Sequence, residues 1–299
     1  MLALPIIPDL SAELARLTSG IPSTFVSTYG DLARALGSRH AAIWVSKWVR
    51  ERATGDPGLA RCIVGKSAAS GMRRVTDFQG PTALGPLEAW LDQAAEWVDD
   101  RSLRTRPRLV AGIDVAYPAP DRATAAAVLV DARSKAVVHE VVIERPVEFP
   151  YISGFLTFRE LPAMMAAFEA LVIAGGQPDV VMIDGQGRLH PRRGGVATGF
   201  AAATGLPTIG VAKSLLCGKV EDIDQSLRKP EVRRVLIDDE HLGFAVQTTP
   251  KATPIYVSVG GWLSLEDALD VTLSMAGSTR LPLPTHIADR KTREGRGSR

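Results

Sequence analysis

The sequence has 299 residues, of which 45% are hydrophobic and 23% charged, with a net charge of +2 and two cysteines, Cys62 and Cys217. That composition is ordinary for a soluble globular chain and excludes collagen-like, largely disordered and disulfide-scaffold classes. The length allows about two domains of roughly 150 residues each. Charge is unevenly placed. Residues 1–80 carry ten Lys/Arg against six Asp/Glu, net +4; residues 286–299 carry five against two, net +3; residues 81–285 carry twenty against twenty-five, net −5. A basic head and tail around an acidic middle fits a chain that touches phosphates at its ends and holds a cation centrally, although imbalances of this size are common without any function. Two distant cysteines point to a reducing cytoplasm. No apolar run approaches the ~18 residues of a membrane span, and the opening MLALPIIPDLSAEL lacks the basic leader of a secretion signal.

The first ~75 residues are helical in pattern. Ser11 opens a helix with Ala12, Leu14 and Leu17 on one side. After the break at Gly20-Ile21-Pro22, Gly30 and Gly37 bracket a short helix, and His40–Arg50 forms another with Trp44 and Trp48 on one face. Two short helices joined by a tight turn frame a helix-turn-helix, a spacing many αα-hairpins share; the tryptophan stripe reads as core. Thr76–Pro86 is a linker, which sets domains at 1–78 and 79–299. Leu87–Val98 is an amphipathic helix. Three β-rich runs follow, Arg108–Tyr117, Ala123–Asp131 and Lys135–Glu144. Then come a helix over Phe158–Ala174, a strand over Asp179–Asp184, a small-residue helix over Gly194–Gly205 and a strand over Leu206–Val211. The last strands are Arg234–Ile237, Gly243–Val246 and Ile255–Val259, before a helix over Leu265–Met275 and a charged tail. This order predicts an α/β fold, a mixed sheet covered by helices on both faces.

Three acids stand out. Asp114 lies inside the apolar strand VAGIDVAY, where an unpaired carboxylate costs several kcal/mol and must be paired, protonated or metal-bound. Asp184 ends the strand VVMID and precedes Gly185-Gln186-Gly187, at the strand end where α/β sheets place ligands. Glu160 reads either as a third acid or as the far half of a capping box with Thr157. Acids from separate elements select Mg²⁺ or Mn²⁺, and a metal pair of that kind serves phosphodiester hydrolysis. Lys213 closes the strand IGVAK, either to neutralise phosphate charge or as a lysine at a strand end. The loop His190-Pro191-Arg192-Arg193 is basic, and Phe149-Pro150-Tyr151-Ile152 is a stiff aromatic loop that is either a wedge for a base stack or a packing loop.

The segments VAGIDVAY, FPYISGFLTFRELPAM, PDVVMIDGQGRLHPRRGGVA, GLPTIGVAKSLL and PIYVSVGGWLSLEDALDVTL…RLPLP resemble endonuclease V, in the family's order and over roughly residues 85–290. The resemblance implies an RNase H-like fold and a Mg²⁺-dependent nuclease, with Mn²⁺ as a substitute. Such an enzyme nicks DNA at the second phosphodiester 3′ to a deaminated purine, chiefly hypoxanthine; some members prefer inosine in RNA. It implies Asp114, Glu160 and Asp184 as metal carboxylates and Lys213 at the scissile phosphate. Pro150, Tyr151 and Ile152 would form the wedge, and Gly154, Leu156, Gly185 and His190 would surround the lesion base. The chain departs from the family at Ser153, at Gly199 and at Gly261-Trp262, where a proline, a histidine and a His-Arg-like pair are usual. The alternative readings are a non-catalytic lesion sensor and an inosine-directed ribonuclease.

Within the head, IPSTFVSTYGDLARALGSRHAA resembles the DNA-binding half of O6-alkylguanine-DNA alkyltransferases. This implies a small winged-helix or helix-turn-helix-like domain that meets DNA through Thr28, Tyr29 and Gly30. The reactive cysteine position falls on Ala60, with Cys62 two places late, and Ile43 stands where an arginine is usual, so alkyl transfer is not expected.

Overall fold

The computed structural model describes residues 1–221, 231–250 and 252–294. The chain forms two compact units, one of Pro5–Trp90 with Phe149–Arg159 and one of Met1–Leu4, Leu91–Glu148 and Glu160–Arg299.

In the first unit, α1 (Leu10–Ser19) starts one residue earlier than the sequence suggests, because Asp9 caps it by accepting from Ala12 N. A two-residue strand β1 (Ser27–Thr28) leads into α2 (Tyr29–Leu36), which stops at Gly37 with φ +112°. A 3₁₀ turn over Arg39–Ala41 connects to α3 (Ala42–Ala53), then α4 (Pro57–Cys62) and β2 (Ile63–Val64), which pairs parallel with β1. Trp48 is buried and Trp44 half-buried, as the core reading of that stripe requires. Asp31 is fully buried. It accepts from Thr28 N at 3.0 Å and Thr28 Oγ1 at 2.7 Å, and is ion-paired to Arg74 at 2.7 Å and to Arg34. Such a carboxylate holds only while its partners stay. The helix α5 (Gly85–Trp97) begins in this unit, so the expected 78/79 boundary falls inside it. The piece Phe149–Arg159 is held by rings, with Phe158 edge-on to Trp90 at 5.7 Å and to Phe149 at 6.1 Å.

The second unit contains a nine-stranded mixed sheet in the order β5-β4-β3-β6-β7-β11-β10-β9-β8. Its strands are β3 (Leu109–Ala119), β4 (Arg122–Asp131), β5 (Val137–Pro146), β6 (Val180–Ile183), β7 (Thr208–Ala212), β8 (Lys219–Val220), β9 (Glu231–Ile237), β10 (Glu240–Gln247) and β11 (Ile255–Gly261). The helices are α6 (Leu156–Ile173), α7 (Val196–Thr204), α8 (Leu265–Ser274) and α9 (Leu283–Glu294). β3, β6 and β7 run parallel at the centre. This is the RNase H-like mixed sheet expected from the sequence. On one face, Val110, Val180, Met182, Ile209 and Val211 pack with Ala268 and Val271 of α8 and with Met275 at its C-cap. On the same face, Ala126, Val128 and Val130 pack with Ile287 and Ala288 of α9. On the other face lies α7, whose Ala197 carbonyl sits where a side chain on Gly260 would go.

The charged tail is corrected by the structure. From Leu283 to Glu294 it is a docked helix, opened by Pro284 in its first turn; residues 295–299 lie outside the described residues. Gly112 makes the docking possible, because a Cβ there would stand 2.2 Å from the Pro284 carbonyl carbon. Gly112→Ala must therefore displace α9 from β3. The expected result is a loss of roughly 1–3 kcal/mol in chemical denaturation, and an unchanged midpoint would contradict this packing.

Candidate metal centre

Three neighbouring parallel strands carry a charge at the same level. On one face, β3 reads Val110-Gly112-Asp114, β6 with its next residue reads Val180-Met182-Asp184, and β7 with its next residue reads Ile209-Val211-Lys213. Alternation in a strand puts residues two apart on one face, so each apolar run finishes in a charge at the same sheet edge. The register Ile113↔Ile183, continued by Asp184 N donating to Ile113 O at 3.0 Å, sets Asp114 and Asp184 side by side.

The third acid is one that the sequence reading missed. Asp289 of α9 joins Asp114 and Asp184 so that one carboxylate oxygen from each lies within 4.8 Å of the others. Lys213 Nζ reaches Asp184 Oδ2 and Asp289 Oδ1, both at 2.5 Å. Thr292, one helical turn after Asp289, donates its hydroxyl to Asp114 Oδ2 at 2.7 Å. Arg293 pairs with Asp289 Oδ1 at 2.7 Å. Behind Lys213, the Arg280 guanidinium donates to the carbonyls of Lys213, Pro254 (2.8 Å) and Thr253 (2.9 Å), which fixes the backbone from which the lysine projects.

Burial, and then the neighbouring Asp114 charge, raise the Asp184 pKa to about 7, while Lys213 opposes the rise. Burial lowers the Lys213 pKa, but Asp184 and Asp289 outweigh it and the net shift is upward. Asp184 Oδ2 is buried against the Lys213 ammonium. Three carboxylates brought together from separate elements are the donor set of a hard divalent cation. When all three are ionised they outnumber the Lys213 and Arg293 cations, and a bound cation would offset the excess.

The other sequence-predicted residues are distributed as follows. Glu160 is half-buried in α6 and is not part of this acid cluster. Tyr151 is 66% exposed, whereas Phe149 and Ile152 on either side are 1% exposed. The loop therefore presents the tyrosine, while Ile152 anchors it and Pro150 is half-buried. Gly154 has φ +83°, which only glycine adopts readily, and Leu156 is exposed beyond it. A Cβ on Gly185 would lie 2.4 Å from Val196. His190 is buried, and that burial, aided by Arg192, lowers its pKa to about 4, so it is neutral at ordinary pH. Thr28 is buried and its hydroxyl caps α2, whereas Tyr29 and Gly30 are half-buried. Gly261 faces Val98, 2.6 Å from where its Cβ would stand, and Trp262 donates its indole N–H to Ala201 O. A larger residue at 261 would have no room. Gly199 is buried within α7.

Residues 92–290 match the family model described as Endonuclease V. Endonuclease V of Roseiflexus sp. (strain RS-1) is 40% identical over 224 residues, covering 74% of this chain and 96% of that protein. The crystal structure of endonuclease V from Streptomyces avermitilis superposes with a TM-score of 0.64 at 36% identity, covering 70% of this chain and 90% of that one. A Ciona intestinalis endonuclease V, crystallised with a 24mer DNA containing an inosine followed by a ribo-adenosine, gives 0.61 at 25% identity, covering 70% and 95%.

Two outcomes are expected. Asp289→Ala should weaken Mn²⁺ binding, read by calorimetry, by about 10- to 100-fold; unchanged affinity would remove Asp289 from the centre. The second concerns Asp184, whose proton leaves near 3.8 in an ordinary carboxyl and near 7 in the fold. The folded chain therefore binds more protons between those values, and its ion-free stability falls as pH rises through that window. Asp184→Asn cannot ionise. In chelator, its Tm should gain on wild type from pH 5 to pH 8, and a constant difference would refute the shift.

Proposed function

The chain belongs to the endonuclease V family and is a nuclease acting on phosphodiester bonds in DNA repair; we propose that it nicks DNA at the second phosphodiester 3′ to a deaminated purine, using Mg²⁺ or, in its place, Mn²⁺. The observation that carries this reading is the cluster of Asp114, Asp184 and Asp289 at one sheet edge, with Lys213 between Asp184 and Asp289. When bound, the cation would supply charge stabilisation for a phosphoryl oxygen and a water of lowered pKa.

Each residue of the chain then has a task. Asp114, Asp184 and Asp289 offer oxygens, and Thr292 fixes which Asp114 oxygen is free to ligate. Glu160 enters as a further acid by resemblance. Lys213, anchored through Arg280, turns its ammonium from the carboxylates toward the scissile phosphate and offsets charge that develops there. Tyr151 stands out from a loop whose flanking side chains are buried, which suits a wedge entering a base stack. A deaminated base pairs poorly and costs less to extrude, and by resemblance Gly185 and neutral His190 would border it. The complex of the Ciona relative with inosine-containing DNA supports this substrate.

The first unit lies mostly outside the family match, which begins at residue 92. We read it as a DNA-binding head of helix-turn-helix type. Arg39, His40 and Lys47 are exposed along the 3₁₀ turn and α3, and Tyr29 and Gly30 open α2. Burial raises the pKa of the half-buried Cys62 thiol, the reverse of what a nucleophilic thiolate needs, so the head binds without alkyl transfer. Tethering would raise the nuclease's effective concentration at DNA. Among the described residues no helix is long and apolar enough to cross a membrane. The two free cysteines are consistent with the cytoplasm as its setting. The sensor alternative loses its motive at Gly261, whose space is filled by packing. The ribo-adenosine in the Ciona complex keeps inosine RNA as the second reading.

Nicking of a duplex with one hypoxanthine, measured with Mg²⁺, tests the proposal. Asp114→Ala should lose at least about 100-fold in rate, the scale of removing a transition-state charge partner. Cleavage equal in wild type and variant, or confined to inosine RNA, would overturn the DNA reading. Tyr151→Ala should lower the rate ratio of lesion to undamaged DNA while leaving Mn²⁺ affinity as it was.

A further inference from the structure

The first unit contains a cavity of about 1040 Å³ that the proposed nuclease chemistry does not use, and neither Thr28, Tyr29 nor Gly30 lines it. Three arginines, Arg52, Arg61 and Arg73, face it together with Phe25, Trp48 and Met72. Among the described residues none of these arginines is ion-paired, and the acid in the lining, Asp56, already spends Oδ1 on the Leu59 N–H that opens α4. Arg52 stacks its guanidinium 4.5 Å over the Trp48 ring. Trp48 itself is 5% exposed, and its indole N–H is buried with no acceptor.

Three arginine cations against one carboxylate leave the concavity positive, and a ligand rich in anionic oxygens offsets that charge. The apolar wall made by Phe25 and Met72, exposed to 52% at Met72, adds a surface on which a flat ring can lie. Phosphate on the arginines and a ring on the wall are the two halves of a nucleotide. We propose that this cavity binds one nucleotide unit of a single-stranded nucleic acid, its phosphate held by Arg52, Arg61 and Arg73 and its base on the wall of Phe25 and Met72. The inference does not depend on the deaminated-purine reading, because neither a lesion nor a divalent ion takes part.

The test uses the full chain in chelator, with fluorescein-labelled dT10 as probe and anisotropy as readout. Arg52→Gln/Arg61→Gln/Arg73→Gln should bind at least about 10-fold more weakly, with the slope of log affinity against log salt reduced by about 0.7, the contribution of one phosphate neutralised on a single strand. Its far-ultraviolet circular dichroism should match wild type, because these side chains are exposed. Met72→Ala removes an exposed part of the wall and should weaken binding severalfold. Competition by dTMP at concentrations where inorganic phosphate does not compete supports the site and shows that a free nucleotide satisfies it. A triple variant that matches wild type in affinity and salt slope overturns the proposal, as does phosphate competing as well as dTMP, which would leave an anion site with no use for the base.

Discussion

The structure depends on two carboxylates held next to each other in a place water scarcely reaches. Once β3 and β6 pair in parallel with Ile113 opposite Ile183, Asp114 and Asp184 have nowhere else to go. Neither strand can slip to relieve them, because a one-residue shift would turn Val110, Val180 and Met182 out of the core. The repulsion has to be answered locally. Lys213 from the next strand, Thr292 from α9 and the upward shift of the Asp184 pKa answer it without an ion. The fold thus stores a cation-binding site as a charge imbalance, and packing rather than the acids sets its geometry.

Glycines and small residues let the elements that complete the centre come close enough. Gly112 admits α9 to β3, and Gly260 and Gly261 admit α7 and the segment at Val98 to β11. The last pair alters the meaning of a sequence difference. A glycine in place of an imidazole looks like a lost catalytic group when only the string is read. In three dimensions the space beside Gly261 is occupied, and the position serves packing. Trp262 at φ +66° follows the same logic, with its backbone turned so that its ring reaches Ala201 O and Arg101.

Much of this was legible in the sequence, for identifiable reasons. The strands around Asp114 and Asp184 were readable because apolar runs interrupted by one acid have few explanations, and both acids do converge. Lys213 was readable from its place at a strand end. Asp289 was not, because HIADRKTRE is dominated by charges, and of the helix's buried residues Pro284, Thr285, Ile287, Ala288 and Thr292 only Ile287 is a large aliphatic. The Leu-Pro-Leu-Pro run just before it was the available signal, a proline-marked helix start. Ile152 was grouped with Tyr151 by adjacency, yet neighbours in an irregular loop can point opposite ways, and here one is core and the other solvent-exposed. Thr28 carried a resemblance to a DNA contact, while its hydroxyl is committed to capping α2 beside Asp31.

The distance along the chain between Asp114 and Asp289 has a bearing on synthesis. The paired strands can form as soon as β6 has been made, and at that stage the sheet holds two acids without the helix that supplies the third. A chain growing from its N-terminus folds early segments first, so hydrolytic competence would be withheld until α9 emerges and docks. A chain that stops short of α9 would then keep the paired acids Asp114 and Asp184 but lack Asp289 and the Thr292 hydroxyl.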